Sequence, residues 1–277
     1  MAVGAEVVLK PKTALRVPVY APCIKPDAFA GLSEREIGSL ELLKGNRRVR
    51  LADLFHVEGD GAARAEELTI RLVGDFSKVR QVGFEMTAGR VVMEGPVGLL
   101  AGEHMRGGSL IIKGDAGSWL GSRMRGGSIE VFGSAGDYVG SAYRGARDGM
   151  RGGSIVIHGS AGNELGNWMR GGTILVEGDV GLFPGIHMRN GAILIKGDCE
   201  GRPGALMRGG KIIICGHLPS VLPGFSILRV SKSVKFAGER VQGPFYTFVG
   251  DLTEDGDGRL HVAKGPNAHL AFYERYL

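Results

Sequence analysis

Three cysteines, Cys23, Cys199 and Cys215, are all that a chain of 277 residues offers, and no two of them stand in a C-x-x-C spacing. An odd number without that spacing argues against a disulfide framework, a zinc knuckle or an iron–sulfur cluster. Long apolar runs are missing too. None approaches the roughly 20 residues that a membrane-spanning helix needs. The opening MAVGAEVVLKPK lacks the basic start and apolar stretch of a secretory signal. A soluble protein of a reducing cytoplasm is therefore expected, with no membrane partner. Proline is scarce at 11 residues and no G-X-Y period exists, which removes collagen and disordered linkers. What abounds is glycine, 48 residues, beside a 43% hydrophobic content. Glycine at that level among Val, Ile and Leu points to many tight turns between short strands.

Those turns recur. The string M-R-G-G occurs at Met105–Gly108, Met124–Gly127, Met150–Gly153, Met169–Gly172 and Met207–Gly210, with M-R-N-G at Met188–Gly191 and a degenerate M-T-A-G at Met86–Gly89. Every interval between these methionines is 19 residues except one of 26, and seven of the nine methionines fall in this column. A short apolar segment ending in Gly follows each turn: VVMEG, LIIKG, IEVFG, IVIHG, ILVEG, ILIKG and IIICG. Alternation places Ile129 and Val131, Ile155 and Ile157, Ile174 and Val176, and Ile193 and Ile195 on one face. Lys113, Phe132, His158, Glu177 and Lys196 then point outward.

A 19-residue unit is too short for two packed helices. Stacked coils would bury one another's apolar positions, each rising by about 4.8 Å. The predicted fold is mainly β, a right-handed parallel β-helix: a single-stranded solenoid with an N-terminal α/β cap. The six-residue rhythm of left-handed solenoids is absent. The Gly pair of each turn is read as supplying positive φ at a corner. Predicted boundaries are 1–67 for the N-terminal cap, 68–218 for the repeats and 219–277 for a C-terminal cap. Ser33–Leu43 reads as a helix with Ser33 as N-cap and Glu36 completing a capping box. The aromatic-rich FYTFVGD and HLAFYERYL read as a terminal plug of unspecified fold. The seven extra residues of the long interval, Tyr143–Gly149, are expected to loop out of the stack. They are either tolerated drift or a partner-contact loop using Tyr143, Arg144 and Arg147.

The position after each repeat methionine holds Arg106, Arg125, Arg151, Arg170, Arg189 and Arg208, with Thr87 in the degenerate turn. Stacking makes these a ladder with rungs about 4.8 Å apart. Unit charges at that spacing repel by roughly 1 kcal/mol even in water. The guanidiniums therefore need carbonyls at the corners, or anions. In the first case they are corner packing. In the second they form a track for a carboxylate- or phosphate-rich chain, which Arg forks match. His104 and His187, both in H-M-R, lie four rungs apart, about 19 Å, and cannot share a metal. No G-x-S-x-G, no P-loop and no repeated acidic pair marks a catalytic constellation.

The stretch VPVYAPCIKPDAFAGLSEREIGSLELLKGNRRVRLADLFHVEGDG, followed by the M-R-G-G coils and the FVGDLTEDGDGRLHV tail, resembles the family of formylmethanofuran dehydrogenase C subunits. More closely, it looks like the C subunit of the related formyltransferase/hydrolase complex of methylotrophs. The resemblance implies a non-catalytic scaffold subunit in cytoplasmic one-carbon metabolism. Its implied partners are an amidohydrolase-like subunit holding the hydrolytic metal, a formyltransferase subunit and a further subunit. The implied ligand of the complex is a methanofuran-type carrier, whose glutamyl tail suits the arginine ladder. No metal site is expected on this chain itself. Three other readings compete. A purely architectural domain, as at the C-terminus of glutamate synthase large subunits, would share the Gly-patterned coils. A free-standing polysaccharide-degrading enzyme would need clustered carboxylates. A nucleic-acid binder would interleave aromatics with its basic residues, yet Met and Gly flank the arginines.

Overall fold

The computed structural model describes residues 5–277, and these are mainly β. The repeats lay down the strands Leu68–Leu72, Arg90–Met93, Ser109–Ile112, Ser128–Val131, Ser154–Ile157, Arg170–Val176, Asn190–Ile195 and Lys211–Ile214. Each is parallel to the next, inside a 13-stranded sheet. Register follows the repeat: Leu110 faces Ile129, Ile129 faces Ile155 and Ile155 faces Ile174. A second parallel column of bridges links Phe76, Val97, Ala116, Ala135, Ala161 and Val180. A third runs through the Met-Arg turns, where the amides of Arg106, Arg125 and Arg151 donate to the carbonyls of Met86, Met105 and Met124, each at 2.8 Å.

The alternation within each strand decides burial. Ile129, Val131, Ile155, Ile157, Ile174, Val176, Ile193 and Ile195 are buried, whereas Phe132 is 52% exposed. All seven repeat methionines are 0% exposed. Full burial of such a side chain contributes roughly 1.5–3 kcal/mol, and stacking makes each coil the cover of the last. The 26-residue interval does not disturb this. Ser128 still pairs with Ser154 and Val131 with Ile157, so the additional residues leave the stack between Ala142 and Met150 and return in register.

Polar side chains also tie coil to coil. Asp115 Oδ1 accepts from the Ser134 amide at 2.8 Å, Ser134 Oγ from Ser160 at 3.1 Å, and Ser160 Oγ from Asp179 at 3.1 Å. Asp179 Oδ1 then accepts from Asp198 at 2.7 Å and Asp198 Oδ1 from His217 at 2.6 Å. Each bond satisfies an amide of the following coil, a net gain of about 1 kcal/mol apiece. This is why Asp or Ser follows the strand-ending Gly in KGD, FGS, HGS and EGD.

The two glycines of a turn do different jobs, which corrects the expectation that both supply positive φ. Only the second is left-handed, as at Gly127 (φ 85°). The first is needed for close approach, since a Cβ on Gly126 would stand 2.3 Å from the Arg106 carbonyl oxygen. The helix at Ser33 is shorter than expected. It runs Glu34–Ser39 with its capping box formed, Ser33 N–H to Glu36 Oε2 at 2.9 Å. Leu40 leaves the helix, because Glu41–Lys44 pairs with Arg47–Arg50 and buries Leu42.

At the two ends the parallel sheet is continued by non-repeating chain. Ala5–Pro11 lies parallel to Leu68–Leu72 and antiparallel to Phe55–Glu58. At the other end Gly258–Ala263 lies parallel to Lys211–Ile214, reached through a long hairpin, Ser226–Phe236 and Glu239–Gly250. Tyr246, Phe248, Leu260 and Val262 are fully buried there. The hairpin crosses the outer face of the sheet, where Val234, Phe236 and Phe245 pack on Leu194 and Ile213.

Candidate functional site

Backbone bonding to the preceding methionine carbonyl fixes every ladder arginine at the same corner of its coil, and all six side chains are exposed. Their surroundings differ from rung to rung. Arg106 reaches Glu85 at 3.3 Å. Arg151 meets Asp148 at 2.6 Å, and Arg208 meets Glu254 at 2.9 Å. Arg170 donates to the Arg147 carbonyl at 2.9 Å and has Asp148 at 3.9 Å. Arg189 lies over the Trp168 ring at 5.3 Å. For Arg125 and Arg189 no carboxylate lies in salt-bridge range among the described residues. The repulsion expected of a bare ladder is thus relieved mostly by acids, and only Arg170 uses a carbonyl.

The inserted segment supplies the central counter-ion. Asp148 sits among Arg151, Arg170 and Arg123, the last at 3.6 Å. The Arg151 hydrogen bond holds its carboxyl below the usual range. Tyr143 packs beside Trp119 at 6.3 Å between ring centres, and burial followed by a hydrogen bond to Glu103 pushes its phenol up. Glu103 is only 3% exposed and accepts from Gln81 Nε2 at 2.9 Å. Arg144 reaches the Tyr138 hydroxyl at 3.4 Å, and Arg147 lies over Trp168 at 5.8 Å. The loop therefore folds back on the arginine corner, with Tyr143 partly buried and Arg144 and Arg147 exposed.

Reading the repeat alone misses the aromatic side of this corner. Trp119 stacks on Tyr138 at 4.6 Å, and His187 stacks on Trp168 at 4.4 Å. His104 meets Phe84 edge-on at 6.0 Å. The backbone beneath it is regular: the residue before each repeat methionine, apart from Gly149 at the insertion, is left-handed without being glycine. These are Glu85, His104, Arg123, Trp168, His187 and Leu206. The same strain recurs in coil after coil, so it belongs to the corner geometry rather than to one special position. Burial lowers the pKa of both His104 and His187, which favours neutral rings in these stacks.

No group of three or more His, Cys, Asp or Glu side chains comes together to hold a metal among the described residues. The three cysteines are unpaired, and burial pushes the Cys23 thiol to about 11 and the Cys199 thiol to about 12. Both are protonated and unreactive at neutral pH. No helix of the described residues is long and apolar enough to cross a membrane.

A mainly β chain of parallel, in-register repeats with a cationic corner is the class these observations define. No protein-family model matches it. A chain of the X-ray crystal structure of the formyltransferase/hydrolase complex (FhcABCD) from Methylorubrum extorquens, in complex with methylofuran, superposes with a TM-score of 0.79 at 31% identity. The match covers 92% of this chain and 99% of that one. The C subunit of the tungsten-containing formylmethanofuran dehydrogenase 2 of Methanothermobacter wolfeii is 44% identical over 98 residues, 35% of this chain and 36% of the relative. The C subunit of the molybdenum-containing formylmethanofuran dehydrogenase 1 of Methanosarcina barkeri is 42% identical over 95 residues, 34% of this chain and 32% of the relative. The chain thus aligns with about a third of the length of these curated relatives. It belongs to the family of formylmethanofuran dehydrogenase C subunits.

Proposed function

We propose that this chain is a non-catalytic scaffold subunit of a cytoplasmic formyltransferase/hydrolase-type complex in one-carbon metabolism. On this reading it assembles an amidohydrolase-like subunit, a formyltransferase subunit and a further subunit. The observation that carries the proposal is the correspondence with one chain of such a complex across 99% of that chain's length. We read the stack as a right-handed parallel β-helix, with 1–67 and 219–277 as its caps and 68–218 as its coils. The three parallel columns support this, as does the near-universal right hand of crossovers between parallel strands.

The arginine corner is proposed to dock the glutamate-rich tail of a methanofuran-type carrier. Six exposed guanidiniums about 4.8 Å apart match a carboxylate chain, and Arg125 and Arg189 are the rungs that lack a carboxylate of their own. A purely architectural corner, as in a glutamate-synthase-type domain, is the second reading. It is favoured by the acids already facing Arg106, Arg151 and Arg208.

Purification of the tagged chain from its own host tests the assembly. Recovery with amidohydrolase-like and formyltransferase chains is expected, and recovery as a lone monomer would end the proposal. Within that complex, Arg125, Arg151 and Arg170 changed together to Gln should weaken carrier binding and flatten its salt dependence. Unchanged affinity and salt slope would leave the corner architectural.

A further inference from the structure

We infer that the C-terminal end of the arginine corner carries a discrete oxyanion site, built on Trp168 between Arg147 and Arg189. A pocket of about 210 Å³ opens there, lined by Arg147, Trp168, His187, Arg189, Leu206, Arg208 and Glu254. Arg147 and Arg189 lie 5.8 and 5.3 Å from the centre of the same indole. Neither guanidinium has a carboxylate in salt-bridge range among the described residues, in contrast to Arg208, which Glu254 neutralises at 2.9 Å. Two cations without acids of their own line the same pocket, and an anion received there relieves their repulsion.

The remaining lining narrows the ligand. His187 is stacked on Trp168 at 4.4 Å and desolvation favours its neutral form, so it adds hydrogen-bonding capacity without charge. Leu206 supplies an apolar wall. The ligand chemistry is therefore a small oxyanion that accepts two guanidinium forks: a carboxylate of a short diacid or peptide end, or a phosphate monoester. Arg147 comes from the inserted loop and lies outside the repeat column. The site thus does not depend on whether the rest of the column binds a carrier tail.

Trp168 is a built-in reporter, and Trp119→Phe removes the second indole. Titration of the full-length Trp119→Phe chain with glutarate and, separately, inorganic phosphate should give a saturable change in tryptophan emission. Arg147→Gln or Arg189→Gln should each weaken the response by about tenfold or more, while Arg48→Gln, on the N-terminal hairpin where it pairs with Glu41, leaves it unaltered. Saturation by glutarate alone identifies a carboxylate ligand, and saturation by phosphate alone a phosphate ligand. Calorimetric titration of the chain with both tryptophans present repeats the test without the Trp119 substitution. No saturable binding of either anion by calorimetry, or equal binding by the Arg147→Gln and Arg189→Gln variants, would overturn the site. Loss of carrier binding in the triple Arg125, Arg151, Arg170 variant with the Trp168 response intact would separate this site from the carrier-docking proposal.

Discussion

Met150 and Arg151 are neighbours in sequence and occupy equivalent positions in every full repeat, yet the two columns behave differently. The methionines are uniform, each 0% exposed. The arginines are individual: Glu85 faces Arg106, Asp148 faces Arg151 and Arg170, an indole lies under Arg189, Glu254 meets Arg208, and Arg125 has no acid in range among the described residues. Inside the stack, a residue's surroundings are made by the same residue in the coils above and below, so the repeat dictates them. Outside, they are made by whichever non-repeating segment reaches that rung. Periodicity in the chain therefore specifies an interior and leaves the surface open to local variation.

The sharpest break in this comparison is Met150→Ala. An interior column should lose roughly 2–5 kcal/mol on such a truncation, read as a lowered midpoint in urea unfolding. A loss under about 0.5 kcal/mol, the usual range for an exposed site, would show that the two columns are not energetically distinct.

A second effect concerns the covered outer face near the C-terminal hairpin. His261 is 5% exposed, and burial, followed by the charges of Lys211, Arg229 and Arg259, pushes it down to about 4. Its Nδ1 lies 3.0 Å from Thr247 Oγ1, which in turn lies 2.9 Å from Ser231 Oγ. The unfolded chain takes up the proton near 6.5, so the contribution is whole above that pH and fades as pH falls towards 4. The total is about 3 kcal/mol. Unfolding free energies at pH 7, 5.5 and 4 should fall more steeply for the native chain than for His261→Gln. Parallel profiles would mean that His261 is not held neutral.

The smallest effect on stability and the most informative on the surface is Asp148→Asn. Its ion pairs are partly exposed, so stability should change by less than about 1 kcal/mol. Affinity for an oligoglutamate probe should rise several-fold, and more so at low salt, because three arginines lose their built-in acid. An unchanged affinity measured by anisotropy would place Asp148 outside any docking track.

What is legible in the chain follows the same division. The methionine spacing specifies the coil length, the in-register strands and the position of the insertion, because each depends only on the repeat meeting itself. The capping box marks the start of the helix at Ser33 but not its end, since burial of Leu42 in a sheet outweighs helical propensity beyond Ser39. The strand Gly258–Ala263 is invisible as a member of the parallel sheet. It joins Lys211–Ile214 after a 43-residue hairpin excursion and carries no M-R-G-G signature. The arginine column is legible as a set, whereas its unevenness is not. Its acids, Glu85, Asp148 and Glu254, come from the degenerate turn, the insertion and the tail, the three places where the repeat fails.

The bonds from Asp115 to Ser134, Ser160, Asp179, Asp198 and His217 make each coil an acceptor for the amide of its successor. Any such coil can follow any other, so adding or deleting a 19-residue unit leaves every local contact of this kind intact. The number of coils is then a length standard, graduated in steps of about 4.8 Å. It sets the distance between the first strand of the repeats and the last.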